Sequence, residues 1–198
     1  SALFESYPLI ANLISDITGE KKISYDLLIP IPSWLVFVRI IITGAIQNTI
    51  ICMAVVPFGM LFFLHELNFA TIQYMPFFGM ILISCILAPA FGLLTASFIQ
   101  NMQRLSTVWC RFLFPLWYFG GFQFSWTSLH AIFPTLSYVN LLNPILYTTD
   151  GLRDALFGIN GPQAPYITAL LCMPLLAFFT AMCTSIAIMR FKKRLDFV

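Results

Sequence analysis

The stretch NLLNPILYTTDGLRDALFG, Asn140 to Gly158, lies between two strongly apolar regions and differs from both. It opens on the breaker pair Asn143-Pro144 and then carries a small cluster of charges, Asp150, Arg153 and Asp154. Apolar and charged residues from Pro144 to Phe157 recur at helical spacing on different faces, and Gly158 supplies a C-terminal stop. A short amphipathic helix between long apolar segments indicates a helix at a membrane surface.

Composition sets the class of the protein. Hydrophobic residues make up 60% of the 198 residues and charged residues only 9%, whereas a soluble domain carries roughly 25% charged residues. We therefore predict an integral membrane protein. The net charge of +2 is too small to indicate a nucleic-acid partner. The five cysteines are odd in number and lie in or beside apolar runs, which indicates small buried hydrophobes rather than a metal or redox site.

Four segments are predicted to span the membrane. Two uncharged runs, Ile40 to Leu64 and Met75 to Ile99, are long enough to cross a hydrocarbon core of ~30 Å. The third, Phe112 to Trp126, reaches the length of a span only if the helix begins at Thr107. The last, Tyr166 to Met189, is followed directly by basic residues.

Between the third and last spans the chain stays apolar but is broken by Pro134. We interpret Ser128 to Tyr147 as a segment that enters the membrane part-way and returns, so that residues 128–158 hold re-entrant and outer amphipathic helices. Irregular backbone at that depth is tolerated only where it is buried in protein or lines a cavity. Aromatic residues cluster around the end of the third span, and three are candidates for a substrate path: Trp117, Tyr118 and Phe122. The alternative is an interfacial belt with helix packing.

The basic residues orient the chain. Nine of the ten Lys and Arg residues, all but Arg153, lie at Lys21 to Arg39, Arg104 to Arg111, or Arg190 to Arg194. Four spans place these three zones on one side, and the positive-inside rule makes that side the cytoplasm. We therefore predict a multi-pass protein of the cell (inner or plasma) membrane with a cytoplasmic C-terminus.

Two stretches resemble the permease subunits of type-2 ABC exporters, the ABC-2 type transporter family. The first stretch begins at Gly120 with GGFQFSW, which is similar to the family's Gly-containing turn near the outer end of the fifth helix. The apolar segment that follows is similar to the family's two short re-entrant helices. The sequence NPILYTTDGLRDALFG then resembles the family's motif before the last helix. The positions that match this last motif are Asn143, Pro144, Tyr147, Leu152, Arg153 and Gly158.

The upstream stretch GEKKISYDLLIPIPSWLVFVRI resembles the family's cytoplasmic connection, which precedes the third helix and docks on the ATPase. This resemblance makes residues 16–33 a cytoplasmic coupling segment. It assigns contact with the ATPase to Tyr25, Asp26, Leu27, Leu28 and Pro30.

The resemblance also implies the assembly. We expect the chain to form a single all-α transmembrane domain over residues 1–198 with about four spans. Family members have six spanning helices, so this chain is expected to lack the N-terminal amphipathic helix and the first span or spans. It would act in the lipid bilayer as a homodimer with a separate ABC ATPase that binds ATP and magnesium. The pair would export a lipid-linked, saccharide or hydrophobic substrate. The chain itself is predicted to be no enzyme and to hold no cofactor, metal or catalytic residue.

Two alternatives remain open at this stage. A membrane-embedded enzyme that acts on lipids would use Asp150 and His130 as acid–base candidates. The charged cluster is either a solvated helix face or part of an outer gate, in which Arg153 pairs with Asp150 or reaches carbonyls near Gly120-Gly121. The candidate gate consists of Gly120, Gly121, Asn143, Pro144, Tyr147, Asp150 and Arg153.

Overall fold

A computed structural model of the chain describes residues 2–15, 33–62, 72–99, 102–157 and 168–195. All regular elements within these ranges are helical, as predicted. The α-helices are α1 (Ala2–Ser15), α2 (Ser33–Phe62), α3 (Tyr74–Phe98), α4 (Met102–Val108), α5 (Phe114–Trp117), α6 (Trp126–Ile132), α7 (Pro134–Asn140), α8 (Pro144–Phe157) and α9 (Ala169–Leu195).

Three of the described helices are long and apolar enough to cross a membrane. They are α2 over Trp34–Gly59, α3 over Tyr74–Phe98 and α9 over Ala169–Lys193. The predicted bounds of α3 are correct to one residue at each end. Helix α2 begins at Ser33 rather than Ile40, because the residues just before Ile40 are mostly apolar and continue the helix.

The predicted third span is not confirmed, because the chain there is divided into short pieces. Helices α4 and α5 alternate with two π-helical segments, Trp109–Leu113 and Tyr118–Phe122. We call residues 102–122 the interrupted helix. Its backbone keeps right-handed helical angles through the junctions. Helical geometry is lost in its last turn, at Gly120 and at Gly121, whose φ of 83° lies in the left-handed region that glycine adopts at little cost.

Two apolar clusters mark opposite ends of the helices. At one end, α1 and the start of α2 pack against the C-terminal parts of α3 and α9, together with α4. At the other end, the N-terminal parts of α3 and α9 pack against α8. Helices α3 and α9 therefore run parallel. Arg104 and Arg190 are each next in sequence to a member of the first cluster, and Arg39 lies two residues from Phe37, so we call this end the basic end.

Gly121→Ala is expected to destabilise the fold. A Cβ at Gly121 would lie 2.5 Å from the Thr149 Oγ1, and the left-handed conformation costs an L-residue about 1–2 kcal/mol. The midpoint of thermal unfolding of the purified protein in detergent measures the effect. Gly59→Ala is the matched control, because a Cβ there meets nothing within 4 Å and alanine is favoured inside a helix. Equal midpoints in the two variants would contradict the prediction.

Candidate functional site

The C-terminal end of the interrupted helix is capped by side chains from the stretch that follows it. The last carbonyls of a helix have no partner within the helix. Three side chains donate hydrogen bonds to carbonyl oxygens here: Asn143 Nδ2 to Leu116 at 2.7 Å, Asn140 Nδ2 to Phe119 at 2.6 Å, and Thr149 Oγ1 to Gly120 at 2.7 Å. We call Asn140, Asn143 and Thr149 the carbonyl cap.

Asn143 joins two helices at once. Its Nδ2 caps the interrupted helix, while its Oδ1 accepts the backbone N–H of Ile145 at 3.1 Å and so caps the start of α8. Pro144 occupies the first position of α8, where its missing N–H removes a donor that would have no partner. Both residues of the breaker pair Asn143-Pro144 are buried, and Asn143 ties the start of α8 to the interrupted helix.

The two glycines let α8 approach the interrupted helix. A Cβ at Gly120 would lie 2.6 Å from Ile145 Cγ2, so a larger residue would push α8 away. The structure thus brings together four of the predicted gate residues, Gly120, Gly121, Asn143 and Pro144. Tyr147 lies one turn further along α8 and donates its hydroxyl to the Leu141 carbonyl at 2.7 Å.

Helices α6 and α7 form a hairpin with its own polar network. The Trp126 Nε1–H donates to the Ser137 carbonyl at 3.0 Å, and the indole stacks on the His130 ring with centroids 4.7 Å apart. The Ser137 hydroxyl donates to the Pro134 carbonyl at 2.6 Å. Ser137 Oγ therefore accepts from His130 Nδ1, 2.7 Å away, and His130 serves to hold this hairpin together.

Both carboxylates of the charged cluster of α8 are buried and only Arg153 is partly exposed, so the interpretation as a solvated helix face is wrong. Asp150 is 3% exposed and Asp154 is 4% exposed. Helix α8 turns this face towards α3 and α9, because Gly151 and Ala155 on the same face are small enough for close packing. Arg153 pairs with Asp150 at 3.3 Å, as one version of the gate hypothesis predicts.

The other version of that hypothesis, in which Arg153 reaches the carbonyls at the broken helix end, does not describe the structure. The carbonyl cap takes that role: Thr149, one turn before Arg153, donates to the Gly120 carbonyl. The hydroxyl of Thr149 is neutral and short, so it reaches the broken end without bringing a charge there.

The far end of α8 fixes the beginnings of α3 and α9. Asp154 Oδ2 accepts the backbone N–H of Ala169 at 2.7 Å, at the start of α9, where a carboxylate is favoured by the helix dipole. The backbone N–H of Gln73 donates to the Ala155 carbonyl at 2.9 Å, just before α3. Helix α8 therefore connects the broken helix end to both of these long helices.

Asp150 and His130, the acid–base candidates of the alternative function, are held in separate networks. His130 interacts with residues of α6 and α7, and Asp150 pairs with Arg153 within α8. Within the part of the chain that the structure describes, no hydrogen bond or ion pair joins the two. This arrangement gives no support to acid–base chemistry shared between them.

An apolar cavity of about 220 Å³ lies between α2, α3, the interrupted helix and α8. Of the predicted path residues, Trp117 and Phe122 line it and stack with centroids 4.5 Å apart. Tyr118 does not line it and instead packs edge-on against Phe119 and Phe124. The predicted coupling residues Tyr25, Asp26, Leu27, Leu28 and Pro30 lie outside the described residues.

Sequence reasoning missed Asn140 and Thr149 of the carbonyl cap. One signal was present: Asn140 and Asn143 are amide residues three apart in an otherwise apolar stretch that leads to a proline. Buried amides in such a setting need backbone partners. Thr149 gave no comparable signal, because threonine inside a helix commonly bonds its own preceding turn.

Substitutions at Asn143 test whether its amide donor is required. Asn143→Asp keeps the oxygen that caps α8, yet it turns an acceptor towards the Leu116 carbonyl. We expect it to destabilise the protein by about 1–3 kcal/mol, as for a buried acceptor left unsatisfied, and at least as much as Asn143→Ala. Thermal unfolding in detergent is the measurement, with exposed Gln123→Ala as the control. If Asn143 only capped α8, aspartate would replace it without loss.

No protein-family model matches the chain, and no solved structure matches it significantly. Curated relatives do match: the proteins named "Inner membrane transport permease YadH" from Escherichia coli K12, Escherichia coli O157:H7 and Shigella flexneri. Each is 25% identical over 171 residues, which cover 85% of this chain and 62% of the relative. The chain thus spans 62% of the length of these relatives. The similarity and the three apolar helices support a multi-pass inner-membrane protein with a role in transport.

Proposed function

We propose that the chain is the permease subunit of a type-2 ABC exporter. Two copies enclose the path for a lipid-linked, saccharide or hydrophobic substrate. Two cytoplasmic ABC ATPase subunits, which bind ATP and magnesium, drive the transport. The similarity to inner-membrane permeases supports the transport role, and the observation that carries the proposal is the carbonyl cap on a helix that ends inside the bundle.

The depth at which this helix ends supports a re-entrant arrangement. The last turn of α8 bonds to Gln73, at the start of α3, whereas its first turn shares a cavity with Cys85 and Ala88, in the middle of α3. Between Ile145 and Ala155 a helix rises about 15 Å, roughly half of a ~30 Å hydrocarbon core. If α3 spans the membrane, the interrupted helix and α8 meet near its middle.

A helix end at that depth needs donors that belong to the protein. In hydrocarbon, each unpaired carbonyl costs several kcal/mol, and water is not there to replace the missing partner. The two asparagine amides and the Thr149 hydroxyl supply these donors at 2.6–2.7 Å. In this proposal the interrupted helix, third of the four predicted spans in chain order, reaches from the basic end to the middle of the membrane, and the re-entrant chain from α6 to α8 completes the crossing to the outer side.

The basic end is the cytoplasmic end in this proposal. Arg39, Arg104 and Arg190 lie there, and the C-terminal residues of α9 follow. The positive-inside rule places such an end in the cytoplasm. The Asp150–Arg153 pair and Asp154, at the opposite end of α3 and α9, then face outward and form the outer gate with the broken helix end.

The described helices on either side of the coupling segment also support an ATPase partner. Ile14, near the end of α1, and Phe37, near the start of α2, both belong to the cluster at the basic end. The chain between these helices therefore leaves and rejoins the described structure on the proposed cytoplasmic side. Tyr25, Leu27 and Leu28 would there enter a groove of the ATPase, as an amphipathic helix does.

Replacement of Leu27 and Leu28 by aspartate tests the proposal. The double variant should lose co-purification with a co-expressed ABC ATPase partner, together with ATP-dependent export, because two charges cannot enter an apolar groove. Leu27→Ile with Leu28→Ile keeps the apolar volume and is the matched control. Membrane abundance is matched by immunoblot. Undiminished co-purification of the aspartate variant would reject the coupling segment, and no ATPase association in the parent would reject the exporter.

A further inference from the structure

Two cysteine thiols face each other where α2 packs on α3. The sulfur atoms of Cys52 and Cys85 lie 3.8 Å apart, and both residues are thiols rather than a disulfide. Cys85 is buried and Cys52 is half-buried. One turn before Cys52, the Asn48 amide lies 3.5 Å from the Cys85 carbonyl oxygen, which holds the two helices in this register.

Both thiols open into the apolar cavity described above. The cavity is partly open, and its remaining walls include the aromatic rings of Phe91, Trp117 and Phe122. A volume of about 220 Å³ exceeds the 150 Å³ of an apolar cavity that is known to hold a benzene ring. A flat apolar group bound to the sulfurs therefore has space beside these rings.

The distance between the sulfurs selects the kind of atom that can join them. Two sulfurs 3.8 Å apart subtend an angle of about 110° at an atom that lies about 2.3 Å from each, the length of a zinc–thiolate bond. This angle excludes a linear two-coordinate ion but is compatible with either a pyramidal three-coordinate centre or a tetrahedral one. A disulfide would require the sulfurs to approach to about 2.05 Å, which demands movement of the helices or the side chains.

Because the walls of the cavity are apolar, they favour a bound species without net charge. A metal ion held by two thiolates leaves a net charge in the cavity unless further ligands neutralise it, and burial of an uncompensated charge is costly. Among the residues that the structure describes, no third thiol, imidazole or carboxylate lines this cavity. A trivalent arsenic centre that carries one organic group forms a neutral product with two thiols.

We propose that Cys52 and Cys85 form a dithiol site for apolar trivalent arsenicals. The reaction is RAs(OH)₂ with two Cys–SH groups, which gives RAs(S–Cys)₂ and two molecules of water. Two As–S bonds form, two As–O bonds break, each thiol proton leaves in a water molecule, and no electron is transferred. The group R occupies the cavity against Trp117 and Phe122, and the arsenic atom joins α2 to α3. This site does not depend on the proposed transport function.

The test is the binding of phenylarsine oxide to the purified chain in detergent, followed by intact-mass spectrometry. We expect one phenylarsenic adduct that survives washing with 2-mercaptoethanol, because both As–S bonds of a chelate must break for release, and that is removed by 2,3-dimercaptopropanol. Cys52→Ser and Cys85→Ser should each lose the resistant adduct. Cys110→Ser, which changes an exposed cysteine, should retain it.

Two further measurements make the result specific to the cavity. The adduct should raise the thermal unfolding midpoint of the parent and of Cys110→Ser but not of Cys52→Ser, since it joins two helices. A phenylarsenoxide with a carboxylate on its ring should bind at least tenfold more weakly, because its charge must enter an apolar cavity. A monothiol-resistant adduct in folded Cys52→Ser, none in the parent, or equal binding of the two reagents would each overturn the proposal.

Discussion

The structure depends on the backbone carbonyls of a helix that ends inside a bundle. A helix end at the protein surface can use water, but one enclosed by other helices requires donors from the chain. Here the donors come from residues that follow the helix in the chain, and the nearest of them, Asn140 and Asn143, bracket a tight turn. The cap therefore determines where α8 begins and how closely it approaches Gly120.

The position of α8 determines the surroundings of its charged residues. The helix is wedged between the N-terminal parts of α3 and α9, so Asp150 and Asp154 must be buried. Each carboxylate has one strong partner, a guanidinium for Asp150 and a helix-initiating N–H for Asp154, while the second oxygen of Asp154 is buried with no hydrogen-bond partner among the described residues. Breaking a buried pair costs more than the pair contributes, so these contacts fix the position of α8 more than they add to stability.

Local signals in the sequence predicted the boundaries of α8 and α3 well. A proline at the start and a polar or glycine-rich stop delimit both elements, and these effects act within a few residues. The burial of the Asp150 face was not predictable in this way. Hydropathy predicts that Leu152 and Leu156, rather than the less hydrophobic Gly151 and Ala155, face the core. Small residues permit the closest helix packing, however, so the face with Gly151 and Ala155 packs against the neighbouring helices. The division of the predicted third span likewise follows from π-helical turns that hydropathy does not detect.

Helix α3 is the common support of these features. It packs against α1, α2, α8 and α9, and 56% of its most apolar window is buried, compared with 28% for α2 and 22% for α9. The cavity, the Cys52–Cys85 contact and the bond from Gln73 to α8 all involve α3 or the residue before it. A displacement of α8 would therefore act first on the beginnings of α3 and α9. The more exposed faces of α2 and α9 contribute no residue to the carbonyl cap.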